Sequence, residues 1–135
     1  ERFHLTEPFR EFSIERIKIK TIPAYNINPA RLKAHPRENN WIGYILNING
    51  MQIYHAGDTD FVPEMKQLRG IDTAFLPIGG TFTMDVNEAI EAANTIKAKI
   101  TIPIHYKRLL GEKSTEAEEK FKKGVKNALI LREVF

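Results

Sequence analysis

Trp41-Ile42-Gly43-Tyr44-Ile45-Leu46-Asn47-Ile48, Asn49-Gly50, Met51-Gln52-Ile53-Tyr54-His55 and Ala56-Gly57-Asp58-Thr59-Asp60 follow one another without interruption. Two apolar runs on either side of Asn-Gly predict a β-hairpin, because both turn residues tolerate positive φ. The second strand then runs out into a loop carrying two carboxylates. Upstream, Ile17-Lys18-Ile19-Lys20 alternates as a half-buried strand that Pro23 ends or edges, while residues 1–13 show no clear period. Tyr25 to Asn40, with Pro29, Pro36 and four Asn, reads as a loop long enough to be suspected of function.

Downstream of the hairpin a short helix is expected, with Pro63 in its first turn and Gly70 as its stop. Ile71 to Ile78 is a mostly apolar strand followed by the Gly79-Gly80 loop. Asp85 with Glu88 forms a capping-box start, after which Val86, Ala89, Ile90, Ala93 and Ile96 share one helical face. Ile100 to Ile104 is a short buried strand ending in His105-Tyr106, Thr115 with Glu118 opens a last helix, and Ala128 to Phe135 reads as a closing strand. Strand, helix, strand, helix, strand from Ile53 to Ile104 makes the fold α/β, a mixed sheet in which a β-hairpin joins a largely parallel βαβαβ segment.

The 135 residues suit one unit spanning 1–135, and 42% hydrophobic with 27% charged residues is the balance of a folded globular domain. No apolar run approaches the ~18 residues of a membrane span, so a cytoplasmic protein with no membrane partner is expected. The absence of cysteine excludes disulfides, thiolate nucleophiles and Cys-based metal sites, so any metal must use His, Asp or Glu. The net charge of +3 is concentrated in residues 107–126, where seven cations face four carboxylates. Glu116/Lys120, Glu118/Lys122 and Glu119/Lys123 stand in the favourable i,i+4 order, so a solvated helix face is the plainer reading and a phosphate or RNA patch the alternative.

In sheets with such crossovers, ligands gather beyond the carboxyl ends of the strands. Three loops occupy that position: Gly57 to Asp60, Gly79 to Thr83, and His105-Tyr106. An aspartate and a histidine at neighbouring strand ends can converge on zinc, manganese or iron, although an Asp in Gly-Asp-Thr is by itself more often a turn or cap residue.

Taken together, Tyr54-His55-Ala56-Gly57-Asp58-Thr59-Asp60, Asp72 to Gly80 and Pro103-Ile104-His105-Tyr106 resemble the C-terminal half of metal-dependent hydrolases with the metallo-β-lactamase fold. The similarity is to an archaeal and bacterial branch that carries Pro23-Ala24-Tyr25-Asn26 and His35-Pro36 ahead of the hairpin, and it runs from about Ile17 to Tyr106. It implies half of a four-layer αββα sandwich. It also implies that Asp58 bridges two divalent ions, zinc with manganese or iron as alternatives, and that His105 completes one ion's ligands. His35 is the candidate for a further ligand, although other branches place that His nearer Tyr25-Asn26. The family's first signature, His-x-His-x-Asp-His, belongs to the N-terminal half. The histidines here are His4, His35, His55 and His105, none spaced to form it. With about four ligands needed per zinc, this chain is expected to bind metal poorly and catalyse little without a missing N-terminal half or a partner chain. Glu1 in place of Met reads as a cut edge.

The remaining residues have plainer readings beside the functional ones. Asp60 either caps the following helix or contacts the site from behind. Thr81, Thr83 and Tyr106 face the mouth and could bind substrate if the family geometry holds. His55 is expected to be structural, His4 superficial, and Trp41 a core or loop anchor before a substrate-stacking ring. Gly79-Gly80 is more plainly a tight turn than an anion cradle. The implied function is hydrolysis of a small-molecule ester, lactone, amide or phosphodiester by hydroxide held on the metals, with Asp58 and His105 as catalytic residues. The alternatives are a non-catalytic binding or assembly module made from a split or degenerate half, and a nuclease-like member acting on RNA.

Overall fold

The computed structural model describes residues 6–132. Six strands form one mixed sheet in chain order: β1 (Glu11–Ile14), β2 (Ile17–Pro23), β3 (Ile42–Ile48), β4 (Met51–His55), β5 (Thr73–Pro77) and β6 (Ile100–Ile104). The first four pair antiparallel, and β4–β5 and β5–β6 pair parallel, as the hairpin-plus-crossover pattern predicts. Asn49 and Gly50 both take positive φ at the hairpin turn. β1 was not visible in the sequence, because its four residues contain no alternation longer than Phe12 and Ile14.

Three helices follow: α1 (Val86–Ile96), a single turn α2 (Lys107–Leu110), and α3 (Ser114–Gly124). The capping box at α1 forms as expected: the Asp85 carboxylate accepts from the Asn87 and Glu88 N–H groups at 2.8 and 2.9 Å, and the Asp85 N–H donates in turn to Glu88 Oε2 at 2.8 Å. Two other expectations of termini fail. α3 starts at Ser114 behind Lys113 with no side-chain cap, so Thr115 with Glu118 is not its opening box. Pro63–Gln67 is a 3-10 turn, because Leu68 already returns to an extended backbone ahead of Gly70. The closing strand reduces to an isolated bridge between Thr101 and Ala128, its last residues lying outside the described ones.

Directly opposed residues in neighbouring strands share a face. One row is Ile45, Tyr54, Ala74 and Thr101, and its apolar members join the core beneath α1 and α3, where Ala89, Ala93, Ile96 and Phe121 are buried. The opposite face presents Ile14, Ile17, Ile48 and Met51 in one row and Phe12, Ile19, Leu46, Ile53 and Ile100 in the next. No helix among the described residues covers it. Met51 is 53% exposed, and Ile14, Tyr44, Ile48 and Ile100 are also open to solvent. A sheet apolar on both sides and packed on only one is the geometry expected of half a sandwich. Among the described residues, no helix is long and apolar enough to cross a membrane.

Candidate metal centre

β4 ends at His55, and Gly57 at φ +71° turns the chain so that the Asp58 side chain projects past the strand ends. A Cβ on Gly57 would stand 3.0 Å from the Ile42 carbonyl oxygen, so this turn is built on the absence of a side chain as well as on its φ. At the end of β6, His105 itself takes φ +56°, a left-handed conformation uncommon outside glycine, which re-aims its side chain at the strand end. The chain from Gly79 passes so close behind it that a Cβ on Gly79 would meet the His105 carbonyl oxygen at 2.6 Å.

These turns converge with the 24–40 loop on one carboxylate. Asp58 Oδ2 lies 3.4 Å from His35 Nε2, and Oδ1 lies 3.6 Å from His105 Nε2, so each imidazole meets a different oxygen. Asp58 and His105 are half exposed while His35 is mostly buried. The structure therefore brings Asp58, His105 and His35 together.

Residues invisible to motif reading hold His35. Its Nδ1 lies 2.9 Å from the Phe82 carbonyl oxygen. A carbonyl only accepts, so Nδ1 is the donor in this contact and Nε2 is the nitrogen turned towards Asp58, the way a ligating imidazole is commonly held. Asn26 donates through Nδ2 to the same Phe82 oxygen and to the Arg31 carbonyl, both at 2.8 Å, and its backbone N–H bonds the His35 carbonyl at 2.8 Å. The Trp41 ring stands edge-on to His35 at 5.3 Å between centroids and is 46% exposed, so it braces the loop from the solvent side rather than entering the core.

Behind the loop, Thr59 is fully buried, and its hydroxyl donates to the Tyr25 carbonyl at 3.0 Å and accepts from the Tyr25 N–H at 3.1 Å. Asp60, 1% exposed, caps no helix: Oδ2 accepts from the Ile27 and Asn28 N–H groups at 2.8 Å each and Oδ1 from Arg31 Nε at 2.5 Å. It acts on the site only from behind, by tying down the loop that carries His35. Arg31 passes on to both Glu88 oxygens at 2.5 and 2.6 Å. Burial works against the Arg31 charge, but the bonds to Glu88 and Asp60 outweigh it and hold the group above its ordinary value.

The other candidates part from the site. Tyr106 is buried and its hydroxyl donates to Glu118 Oε1 at 2.6 Å, pointing it into the core rather than the mouth. Thr83 is also fully buried, with its hydroxyl unpartnered among the described residues, and so cannot meet substrate. Thr81 is exposed on the loop rim. His55 stands on the open sheet face, stacked on Phe75 at 5.9 Å and accepting the Gly57 N–H at 3.1 Å, in keeping with a structural role. His4 lies outside the described residues.

Two imidazole nitrogens and a carboxylate are in kind a fitting donor set for zinc, manganese or iron. In number they fall short: among the described residues no three His, Asp or Glu close a cage around one ion. Beside them opens a cavity of about 630 Å³ walled by Ala24, Trp41, Ile42 and Tyr44, a volume suited to a small molecule.

A mixed sheet with a carboxylate between a strand-end imidazole and one on the 24–40 loop is the arrangement of a metal-site protein of the metallo-β-lactamase type. The chain belongs to the Beta-lactamase superfamily domain family, whose profile matches residues 1–106. It is 37% identical over 117 residues to a UPF0173 metal-dependent hydrolase of Thermoplasma volcanium, covering 77% of this chain and 52% of that protein. Over 90 residues it is 43% identical to one of Alkaliphilus metalliredigens, covering 65% of this chain and 40% of the relative. A solved structure from Parabacteroides distasonis, provisionally assigned as a metal-dependent hydrolase, superposes with a TM-score of 0.81 at 39% identity over 96% of this chain and 57% of that one. The chain thus spans about half the length of the relatives it matches.

Proposed function

We propose that this chain is the C-terminal half of a zinc-dependent hydrolase, in which Asp58, His35 and His105 would supply metal ligands. The observation that carries the reading is the carboxylate whose two oxygens face two different imidazoles at 3.4 and 3.6 Å. A bound dication would act as a Lewis acid on an ester, lactone, amide or phosphodiester and make water reactive at neutral pH. The chain's own contribution is orientation. Phe82 and Asn26 set the His35 ring, and the left-handed backbone at residue 105 sets the second ring. The missing ligands and the cover for the open sheet face are assigned to an N-terminal half, a reading supported by the apolar rows on that face and by relatives about twice as long.

In the complete protein, Asp58→Ala and His105→Ala should each remove metal, measured by elemental analysis after gel filtration. Full metal content in both variants would sink the proposal. A non-catalytic module remains the outcome if metal is bound and no hydrolysis of any ester, lactone or phosphodiester follows.

A further inference from the structure

A second cleft, of about 700 Å³, has His105 in its wall. Its walls divide by chemistry. Phe82, Leu109 and Leu131 contribute exposed apolar surface, while Lys107, Arg108 and Arg132 bring three cations to the same hollow and no carboxylate lines it. Among the described residues these three cations form no ion pair, in common with most of the chain's lysines and arginines, and no acidic side chain lines the hollow beside them. A stretch of positive charge without counter-charge, set in low-dielectric walls, concentrates anions. The cleft shares two groups with the metal centre: His105 is in its wall, and so is Phe82, whose carbonyl holds His35.

We propose that this cleft is the specificity subsite of the hydrolase, and that its substrate is an organic anion, a carboxylate or phosphate joined to an apolar body. The anionic end lies against Lys107, Arg108 and Arg132. The apolar body lies along Phe82, Leu109 and Leu131, and the bond to be cleaved reaches His105. This deepens the hydrolase reading and rests on it for the cleaved bond, but not for the binding itself. The basic segment of the sequence accordingly has two parts, the cleft cations at 107 and 108 and the solvated lysines of α3.

The test is calorimetric titration of the complete protein, stripped of metal, with octanoate, octyl phosphate and octanol. Both anions should bind at least ~10-fold more tightly than octanol, and the stronger of the two identifies the head group. The double variant Lys107→Glu/Arg108→Glu should lose that preference, with Lys107→Gln/Arg108→Gln intermediate and octanol unchanged in both. Octanol binding as tightly as the anions, or anion affinity that survives charge reversal, overturns the subsite. Asp58→Ala separates the two proposals. Metal lost with anion binding intact supports both, and metal retained refutes the hydrolase reading alone.

Discussion

Replacing Asp60 by Asn changes one oxygen into an amide nitrogen at a position that is 1% exposed and surrounded by donors on every side. Oδ2 faces the N–H groups of Ile27 and Asn28, and Oδ1 faces the Arg31 guanidinium, so either orientation of the amide sets a donor against a donor. Breaking one partner of a buried ion pair costs about 3–5 kcal/mol. Arg31 keeps both oxygens of Glu88, so the charge is not orphaned and the lower end applies, about 3 kcal/mol or a factor of ~100 in the folding equilibrium. The same change releases the 27–28 backbone next to Asn26 and so loosens His35. Loss of such an outer support lowers metal affinity by about 10–100-fold. Urea denaturation of the complete protein, followed by circular dichroism, reads the first quantity, and competition against a zinc chelator reads the second. Adding Arg31→Met should return part of the lost stability, because the unsatisfied donor goes with it. A loss below about 1 kcal/mol together with zinc affinity within about twofold of wild type would refute both the energetic role of the network and its link to His35.

Two further outcomes follow from the geometry. Gly79→Ala places a methyl 2.6 Å from the His105 carbonyl oxygen and 2.7 Å from Leu109 Cδ1. It should cost about 1–3 kcal/mol and weaken zinc binding by displacing His105, and wild-type melting with wild-type zinc affinity would show that the strand end yields freely. The Asp72 carboxyl is held below its ordinary value of 3.8 by the hydrogen bond from Lys99, 2.6 Å away, and by the Gln52 N–H at 2.7 Å. A depressed carboxyl stabilises the fold above its unfolded value and loses that contribution as pH falls through the folded one. Acid unfolding curves should therefore lose a component below about pH 3.8 in Asp72→Asn, and superimposable curves for the two proteins would remove Asp72 as its source.

Much of the fold was legible because its signals are local. The Asn49-Gly50 turn, the Asp85/Glu88 box and the alternation in Ile17 to Lys20 each report on a few adjacent residues, and each formed. β1 escaped because four residues cannot display a period, and the Thr115/Glu118 signal misled because the short turns after Tyr106 run directly into α3 and leave no free N-terminus to cap. In the site, Asp58 and His105 could be read from motifs at strand ends. The inward turn of Tyr106 could not be, because one peptide unit after His105 the left-handed backbone has already reversed its direction.

By itself, the sequence determined that this protein is an α/β chain with an aspartate and a histidine at neighbouring strand ends and no cysteine to bind metal. Only the tertiary structure decided that His35 joins them, which of its nitrogens faces Asp58, and that Asp60 and Arg31 hold the loop behind it. The reason is range. Turns and periodicities are set by neighbours a few residues apart, whereas the His35 ring answers to the Phe82 carbonyl 47 residues away, a pairing that exists only after the sheet has brought the two loops together.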